Sequence, residues 1–256
     1  MNVHLPSDLL RPYVHSYRIV ESVHGQVNRV LPATSLVMAF RYRGRVSYEA
    51  NHIKSDLSTM VISGLRKSGR LMNYEKATGN IVVLFTETGA SAFIKEPLHE
   101  LFEKSVSLDN LSGYRDITQL EDKLAEANND QQRIRLIEQF LLIRLQYIKP
   151  DGLTNHALRH IHASNGSLRI KELASLLCIS QDAFEKRFRK VVGVAPKQFA
   201  NIIRMNSIIS RSEMKAHRLN ELAFNAGYFD QSHFNKDFKT FTGLTPTDFF
   251  RSPVFW

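Results

Sequence analysis

The feature that most constrains the fold is a repeat in the last third of the chain. The sequence Ile170-Lys171-Glu172-Leu173-Ala174 recurs as Leu219-Asn220-Glu221-Leu222-Ala223, and Phe184-Glu185-Lys186-Arg187-Phe188 recurs as Phe234-Asn235-Lys236-Asp237-Phe238. Ala174 and Ala223 are 49 residues apart, whereas Phe184 and Phe234 are 50 apart. One structural unit therefore occurs twice, and the second copy has one extra residue in the turn between its helices.

Each copy has the pattern of two short amphipathic helices joined by a tight turn, which is typical of a helix-turn-helix unit. In the first copy we predict helices at about 170–177 and 181–192, with Ser180 as the N-cap of the second. In the second copy Asp230 is predicted to cap a helix that runs to about residue 241. The inward faces carry phenylalanines, so the outward faces are left polar and partly cationic.

The segment 196–213 connects the two copies and is predicted to form one linking helix. It has no internal glycine or proline, and its apolar residues recur at helical spacing. Gly193 and Gly243 are each expected to end the second helix of their copy. Pro196 and Pro246, three residues later, are expected to open the helices that follow, and Pro196 opens the linking helix. A helix of this length spans about 25 Å, which is enough to hold two recognition helices about one turn of DNA apart, roughly 34 Å.

The charge of the chain is concentrated in its repeat half. The 256 residues carry a net charge of +9, with 15 basic against 9 acidic residues in 151–256 and 19 against 16 in 1–150. A basic domain favours polyanions because neutralised phosphates release their counterions. The excess is modest, so it supports double-stranded DNA as a partner without establishing it.

The single cysteine excludes an intramolecular disulfide framework and a multi-cysteine zinc site. Cys178 occupies the position of Gly227 in the other copy, and we expect a small buried residue there rather than a reactive thiol. No apolar run reaches transmembrane length, and the N-terminus lacks the features of a secretory signal. We therefore expect a cytoplasmic protein with no membrane partner.

The first 150 residues have the pattern of a mostly antiparallel β domain followed by helices. Short β-branched or aromatic runs predict strands at 13–20, 35–42, 59–63 and 80–86, and helices are predicted at 97–104, 117–127 and 130–147. The sequence Lys149-Pro150-Asp151-Gly152 interrupts the pattern and is the best domain boundary. The fold class is thus predicted to be α+β, with a β-rich, partly barrel-like domain in 1–150 and an all-α domain of two helix-turn-helix units in 151–256.

An apolar stripe on the last of these helices has two possible roles. It consists of Ile134, Ile137, Phe140, Leu141, Leu145 and Ile148. Such a stripe packs on its own domain or forms the seam of a homodimer. In the first case residues 1–150 are free to bind a small-molecule effector in a β pocket, and in the second they raise DNA affinity by dimerisation.

With the doubled motif in hand, residues 153–251 resemble the DNA-binding region of the AraC/XylS family of bacterial transcription regulators. The residues that carry the resemblance are Leu222-Ala223, Gly227-Tyr228, Phe234-Asn235-Lys236-Asp237-Phe238-Lys239 and Gly243-Leu244-Thr245-Pro246. Leu31-Pro32, ahead of a predicted strand, is more weakly similar to a subgroup with a β-rich first domain of unassigned role. The resemblance implies a sequence-specific regulator of transcription, with RNA polymerase as a partner where it acts as an activator.

Carried over from the family, the roles of the recognition helices fall on two sets of residues. The base contacts are expected from Asp182, Glu185, Lys186, Arg189, Gln231, Ser232, His233, Asn235 and Lys236, and the phosphate contacts from Ser180, Arg187, Lys190 and Lys239. Lysine can donate to guanine, asparagine or glutamine can pair with adenine, and glutamate can accept from cytosine. Asp182 and Glu185 add negative charge to the first helix, so the first unit is expected to bind DNA more weakly than the second.

Other functions find less support in the residues. His156, His160 and His162 have spacing suited to metal ligands, but no carboxylate or cysteine completes a set, so a surface or interface role is expected. A DNA-repair alkyl acceptor would need an activated cysteine, and Cys178 lies in the corner of the motif. We therefore expect neither an enzyme nor a cofactor.

Overall fold

The computed structural model describes residues 2–50, 53–114, 117–147, 149–212, 221, 223–224, 226–228 and 230–251. Strands occupy the N-terminal part and helices the C-terminal part, so the chain is an α+β protein as predicted. The strands are β1 (Asn2–His4), β2 (Val14–Ser22), β3 (Gln26–Val30), β4 (Val37–Arg43), β5 (Val46–Ala50), β6 (Ile53–Asp56), β7 (Met60–Ser63), β8 (Arg70–Tyr74), β9 (Thr78–Phe85) and β10 (Ser105–Ser107).

A six-stranded antiparallel sheet forms the centre of the N-terminal part, in the order β1-β2-β9-β4-β7-β10. The predicted strands correspond to its members β2, β4, β7 and β9, and that prediction is confirmed. Both faces of this sheet are covered. Phe40 contacts Phe140 of a helix on one face, whereas Ala39 and Val82 face a second sheet across a cavity. Coverage on both faces explains the apolar runs in these strands, such as residues 37–40 of β4 and 81–85 of β9.

The second sheet has four antiparallel strands in the order β3-β8-β5-β6, and none of them was predicted. Its strands are short, and no residue of Gln26–Val30 or Ile53–Asp56 is buried. On the inside, Val46, Met72 and Tyr74 pack against Val20 of the first sheet. Within the described residues the two sheets face each other without joining into one closed barrel, so the barrel-like character is partial.

Two helices cover the outer face of the six-stranded sheet, α1 (Thr118–Glu126) and α2 (Asp130–Arg144). The apolar stripe of α2 is turned inward, because Ile134, Ile137, Phe140 and Leu141 are buried in the core of the same chain. The stripe therefore packs on its own domain, and its described residues are not available as a dimer seam. Ile148, the last member of the predicted stripe, lies outside the described residues.

The helix predicted at 97–104 is wrong in length. The structure has a short 3₁₀ helix there, Leu98–Leu101, which places Leu98 and Leu101 in the core. Pro97 lies just before it, and Glu103 has a φ of 61°, which no α-helix can accommodate. The prediction was wrong because apolar spacing cannot tell one turn of helix from two.

The helices of the C-terminal part follow the repeat. They are α3 (Gly152–Ala163), α4 (Ile170–Leu176), α5 (Gln181–Val192), α6 (Pro196–Ser212), α7 (Gln231–Thr242) and α8 (Pro246–Arg251). The predicted linking helix is α6. Gly193 and Gly243 end α5 and α7 with φ of 92° and 81°, the left-handed conformation that glycine adopts without strain.

One hydrophobic core runs through both parts of the chain. The 3₁₀ helix Leu98–Leu101 packs on α5, and a Cβ on Gly193 at the end of α5 would lie 3.3 Å from the Cβ of Leu98. The Gln146 amide donates to the carbonyl of Ala92 at 2.8 Å. The helix-turn-helix units are therefore packed on the β-rich part rather than suspended from it.

Candidate DNA-binding surface

The first helix-turn-helix unit is formed by α4 and α5. The chain turns between them where the Ile179 amide donates to the Ala174 carbonyl at 3.1 Å. Cys178 lies in this turn with a φ of 53° and is exposed, so the expectation of a buried residue is wrong. The turn requires a positive φ at this position, since the equivalent Gly227 also has one, of 85°. Ser180 caps α5 by accepting from the Ala183 amide, as predicted.

The second unit repeats the same turn. The Tyr228 amide donates to the Ala223 carbonyl at 3.1 Å, which matches the bond from Ile179 to Ala174. Asp230 caps α7, accepting from the His233 amide at 2.7 Å. The turns are equivalent up to Tyr228, and the caps Ser180 and Asp230 are 50 residues apart, so the extra residue falls between Tyr228 and Asp230. The copied residues Leu219, Asn220 and Leu222 lie outside the described residues.

The outward face of α5 carries the residues expected to contact DNA in the first unit. Phe184, Phe188 and Val192 are buried on the inner side. The sequence-predicted residues Ser180, Asp182, Lys186, Arg187, Arg189 and Lys190 are exposed, and Glu185 is half-buried. The structure thus brings all seven to one side of the unit.

Several of these α5 side chains already have partners in the protein. Glu185 accepts from Gln181 at 3.1 Å and lies 3.8 Å from the Arg189 guanidinium, one turn away. The Nε of Arg187 donates to Asp151, the N-cap of α3, at 2.6 Å. Burial raises the pKa of Asp151, but hydrogen bonds from Arg187 and from the Thr154 amide outweigh it, and the net pKa is lowered. Among the charged residues of this face, Asp182, Lys186 and Lys190 have no partner within the described residues.

The outward face of α7 is less occupied by contacts within the protein. Phe234, Phe238 and Phe241 are buried on its inner side. The predicted residues Gln231, Ser232, Asn235, Lys236 and Lys239 are exposed, and their side chains form no hydrogen bond or ion pair with the part of the chain that the structure describes. His233 is turned aside, with its ring 5.3 Å from that of Tyr228 and its Nε2 3.5 Å from Asp237.

Tyr228, which the sequence analysis used only as part of a motif, fixes α7 on the linking helix. Its hydroxyl donates to Asp237 of α7 at 3.2 Å, and the Arg204 guanidinium of α6 lies 4.5 Å from the centre of its ring. Burial raises the pKa of Tyr228 to about 12, so the hydroxyl remains a donor at neutral pH. In the sequence, the signal for this role is the aromatic Tyr228 directly after Gly227, the glycine of the turn.

The β-rich part contacts both units but leaves their outer faces open. The 3₁₀ helix Leu98–Leu101 packs at the end of α5, away from Asp182 and Lys186. The Gly69 amide donates to the Phe241 carbonyl at 2.8 Å, and Arg29 donates to the Thr242 carbonyl at 3.1 Å. These contacts reach only the C-terminal ends of the two recognition helices.

Of the three histidines of α3, one contacts the β-rich part and two contact each other. His156 and His160 stack with ring centres 4.8 Å apart, and His162 donates to Glu87 of the β-rich part at 2.8 Å. The hydrogen bond to Glu87 raises the pKa of His162. Within the described residues, no three histidine, cysteine or acidic side chains are grouped as metal ligands would be.

A cavity of about 450 Å³ lies between the two sheets of the β-rich part. Its walls come from β2, β4, β7 and β9 on one side and from β3, β5 and β8 on the other. Arg29 and Leu31, at the end of β3, line this cavity, and Arg29 also holds the end of α7. The sequence analysis anticipated a β pocket but named no residue in it.

The comparisons with known proteins divide the chain in the same way. Residues 173–252 match a family model described as a helix-turn-helix domain, and residues 2–107 match a domain of unknown function, DUF6597. The arabinose operon regulatory protein of Escherichia coli is 26% identical over 127 residues, which are 45% of this chain and 42% of that protein. The C-terminal part of the chain therefore carries a helix-turn-helix domain similar to that of the AraC/XylS regulators.

Two other curated relatives are also regulatory proteins. An uncharacterized HTH-type transcriptional regulator of Haemophilus influenzae is 30% identical over 46% of this chain and 38% of its own length. The Msm operon regulatory protein of Streptococcus mutans is 29% identical over 44% of this chain and 42% of its own length. The matches span less than half the length of these relatives.

Solved structures are similar at low identity. A ToxT structure from Vibrio cholerae matches 91% of this chain and 95% of its own with a TM-score of 0.47 and 12% identity. No described helix is long and apolar enough to cross a membrane.

Proposed function

We propose that this protein is a sequence-specific DNA-binding regulator of transcription that places α5 and α7 in two successive major-groove segments. Residues 151–256 are assigned to DNA binding and residues 1–150 to its control. The observation that carries the proposal is the outward face of α7, where Gln231, Asn235 and Lys236 are exposed and form no side-chain bond with described residues. Side chains of these types match the hydrogen-bonding groups of adenine and guanine in the major groove.

The linking helix supports a two-site mode of binding. Its 17 residues correspond to a length of about 25 Å. One recognition helix, α5, precedes it in the chain, and the other, α7, follows it. Lys190 on α5 and Lys239 on α7 are exposed beside the residues assigned to bases, where they meet phosphates and hold the register of the protein on the duplex. Lys186 and Asp182 of the first unit then contact bases directly. Glu185 and Arg189 form an ion pair with each other, which has to break before either can contact a base.

Control by a small-molecule effector is supported by the residues shared between the cavity and α7. Arg29 lines the cavity and donates to the Thr242 carbonyl at the end of α7. Gly69, next to the cavity residue Arg70, donates its amide to the Phe241 carbonyl. A molecule that moves the β3–β8 edge therefore changes how α7 is held, and its differential affinity for the two arrangements sets the size of the response.

Homodimerisation is a second means of control, and one exposed patch favours it. Ile143 and Tyr147, near the end of α2, are 81% and 93% exposed. A second copy of the chain that covers this patch would raise DNA affinity through effective concentration. A concentration-dependent dimer that Ile143→Asp abolishes, with DNA affinity falling in parallel, would support this route, whereas a monomer at all concentrations would remove it.

The proposal is tested by selecting binding sites from random duplex DNA with the full-length protein at near-physiological salt. We expect a bipartite motif with its halves about one helical turn apart, roughly 10 base pairs. Enrichment of a single compact half-site would contradict simultaneous binding by both units. No enrichment in the absence or presence of cavity ligands would contradict the proposed function as a whole.

Variants of α7 separate the two kinds of contact. Asn235→Ala and Lys236→Ala should each cost about 1–3 kcal/mol on the selected site and relax the base preference in one half of it. Lys239→Ala is the matched control on the same helix: it should weaken binding to all sequences equally and flatten the salt dependence by about one unit. Equal behaviour of the three variants, measured by titration at several salt concentrations, would refute these assignments.

A further inference from the structure

The cavity between the sheets has an unbalanced charge. The described residues that line it include four arginines, Arg18, Arg29, Arg41 and Arg70, and no aspartate or glutamate. A cavity with one sign of charge and low-dielectric walls concentrates the opposite charge. The lining thus favours an anionic occupant over a neutral or cationic one.

Arg70 is the most buried of the four arginines. The residue is only 8% exposed, and its Nε has no hydrogen-bond partner in the described structure. Its other nitrogens donate to hydroxyls, Nη1 to Ser105 at 2.9 Å and Nη2 to Ser63 at 3.4 Å, and no described carboxylate forms an ion pair with it. A buried charge without a counter-ion is costly, so the missing anion is the notable feature of this site.

The neighbours of Arg70 increase this cost. Burial and, as the smaller cause, the nearby Arg66 together lower the pKa of Arg70 to about 9, yet the group remains cationic at neutral pH. Both guanidiniums lie over the ring of Tyr48, at 4.8 Å for Arg70 and 5.7 Å for Arg66. Arg66 has the Glu103 carbonyl as a partner at 3.2 Å and does not line the cavity. Arg70 is thus the one of the pair that a cavity ligand can reach.

The rest of the cavity is aliphatic. Val20, Val61, Val82 and Leu84 line it from the six-stranded sheet, and Met72 lines it from the second sheet. A volume of about 450 Å³ lies within the range of small-molecule sites. Asn80 adds a buried side-chain oxygen without a partner, which can accept from a hydroxyl or amide of the ligand.

We propose that this cavity binds a small apolar carboxylate, with its anionic group on Arg70 and its hydrocarbon body between the two sheets. A carboxylate satisfies the Nε of Arg70 and supplies the missing negative charge in one step. The inference deepens the effector control proposed above. Its test measures ligand binding directly, so its failure would leave the DNA-binding proposal standing.

The probes are octanoate and phenylbutanoate, each beside its neutral amide, with inorganic phosphate as a bare anion. Binding to the full-length protein is measured by calorimetry and by the shift in melting temperature. At least one acid should bind about tenfold more tightly than its amide, because a hydrogen-bonded charge pair replaces a neutral contact. Phosphate alone should give no shift, because it covers none of the apolar wall.

Arg70→Met should abolish the preference for acid over amide while leaving the amide affinity unchanged. The matched control is Arg66→Gln, which removes the same charge beside the same Tyr48 and Ser105 but lies outside the cavity lining, and it should keep the preference. Should the methionine variant not fold, Arg70→Lys serves instead: it keeps the charge, so weakened but still acid-selective binding is expected. Equal binding of acid and amide to the wild type, or an acid preference that survives Arg70→Met, would overturn the proposal.

Discussion

The two helix-turn-helix units pack their interiors in the same way. In the first unit, ring centres are 5.7 Å apart for Phe184 and Phe188 and 5.6 Å for Phe188 and Phe199. In the second, the equivalent distances are 5.5 Å for Phe234 and Phe238 and 5.3 Å for Phe238 and Phe249. All four pairs meet edge to face, the geometry that aromatic quadrupoles favour. The caps and the left-handed glycines are repeated as well.

Their outer faces differ. On α5, Glu185 interacts with Gln181 and Arg189, and Arg187 with Asp151, so much of the charge is already paired. On α7 the exposed amides and lysines form no side-chain bond with described residues. Packing constrains both interiors alike, whereas the outer faces are free to diverge with what they bind. We therefore expect α7 to dominate base recognition and α5 to contribute a weaker contact.

Truncating the central phenylalanine of either unit should have the largest effect. Phe188→Ala and Phe238→Ala each remove a fully buried ring and should each lower the free energy of unfolding by about 3–5 kcal/mol. Phe224→Ala, at a ring that is 74% exposed, is the control and should change stability little. Denaturant unfolding of the full-length protein measures all three. A large loss in only one of the two units would show that their interiors are not equivalent.

Removing the acidic charge from α5 should reduce the difference between the two faces. Glu185→Gln frees Arg189 and deletes a negative charge that faces the phosphates, so DNA affinity should rise about fivefold, or about 1 kcal/mol. The salt dependence should steepen by about one unit, because Arg189 loses its carboxylate partner in the protein and its charge is available to the DNA.

Glu172→Gln on α4 is the control for this change. Glu172 lies 3.8 Å from Arg169, the same separation as Glu185 and Arg189, but it is not on a recognition helix. Affinity for the selected site should therefore stay close to that of the wild type. If both variants raised affinity equally, net charge alone would explain the gain, and the pairing on α5 would have no special role.

The elements that the sequence predicted well are those fixed by local chemistry or by burial on two faces. Ser180 and Asp230 were predicted as caps, because their side chains accept from the first free amides of a helix. The strands β2, β4, β7 and β9 were predicted because both faces of their sheet are covered, which gives them apolar runs such as residues 37–40 and 81–85.

The features that were missed depend on contacts distant in sequence. The strands of the sheet β3-β8-β5-β6 are short, two of them bury no residue, and only their pairing and packing on the first sheet make them stable. The cavity residue Arg70 gives no signal in the sequence, since its burial depends on how two sheets face each other. Cys178 was expected to be buried because it replaces a glycine, but glycine is favoured there for its backbone conformation.

The smallest effect concerns how each unit is attached to the β-rich part. On the side of the first unit, His162 of α3 donates to Glu87, in addition to the packing of Leu98–Leu101 on α5, whereas the second unit uses Arg29 and the Gly69 amide, which do not titrate near neutrality. The pKa of His162 is raised in the folded protein, so this bond stabilises fully below about pH 6.5 and is lost as pH rises through the raised pKa. Docking of the first unit should therefore weaken at alkaline pH while docking of the second does not.

An NMR titration of the histidine ring protons measures this difference. Glu87→Gln should lower the pKa of His162, because the amide no longer stabilises the imidazolium. Since the His162 side chain is 47% exposed, solvent screens the pair and only a small change in stability is expected. A His162 titration unaffected by Glu87→Gln would mean that the first unit, like the second, is attached independently of pH.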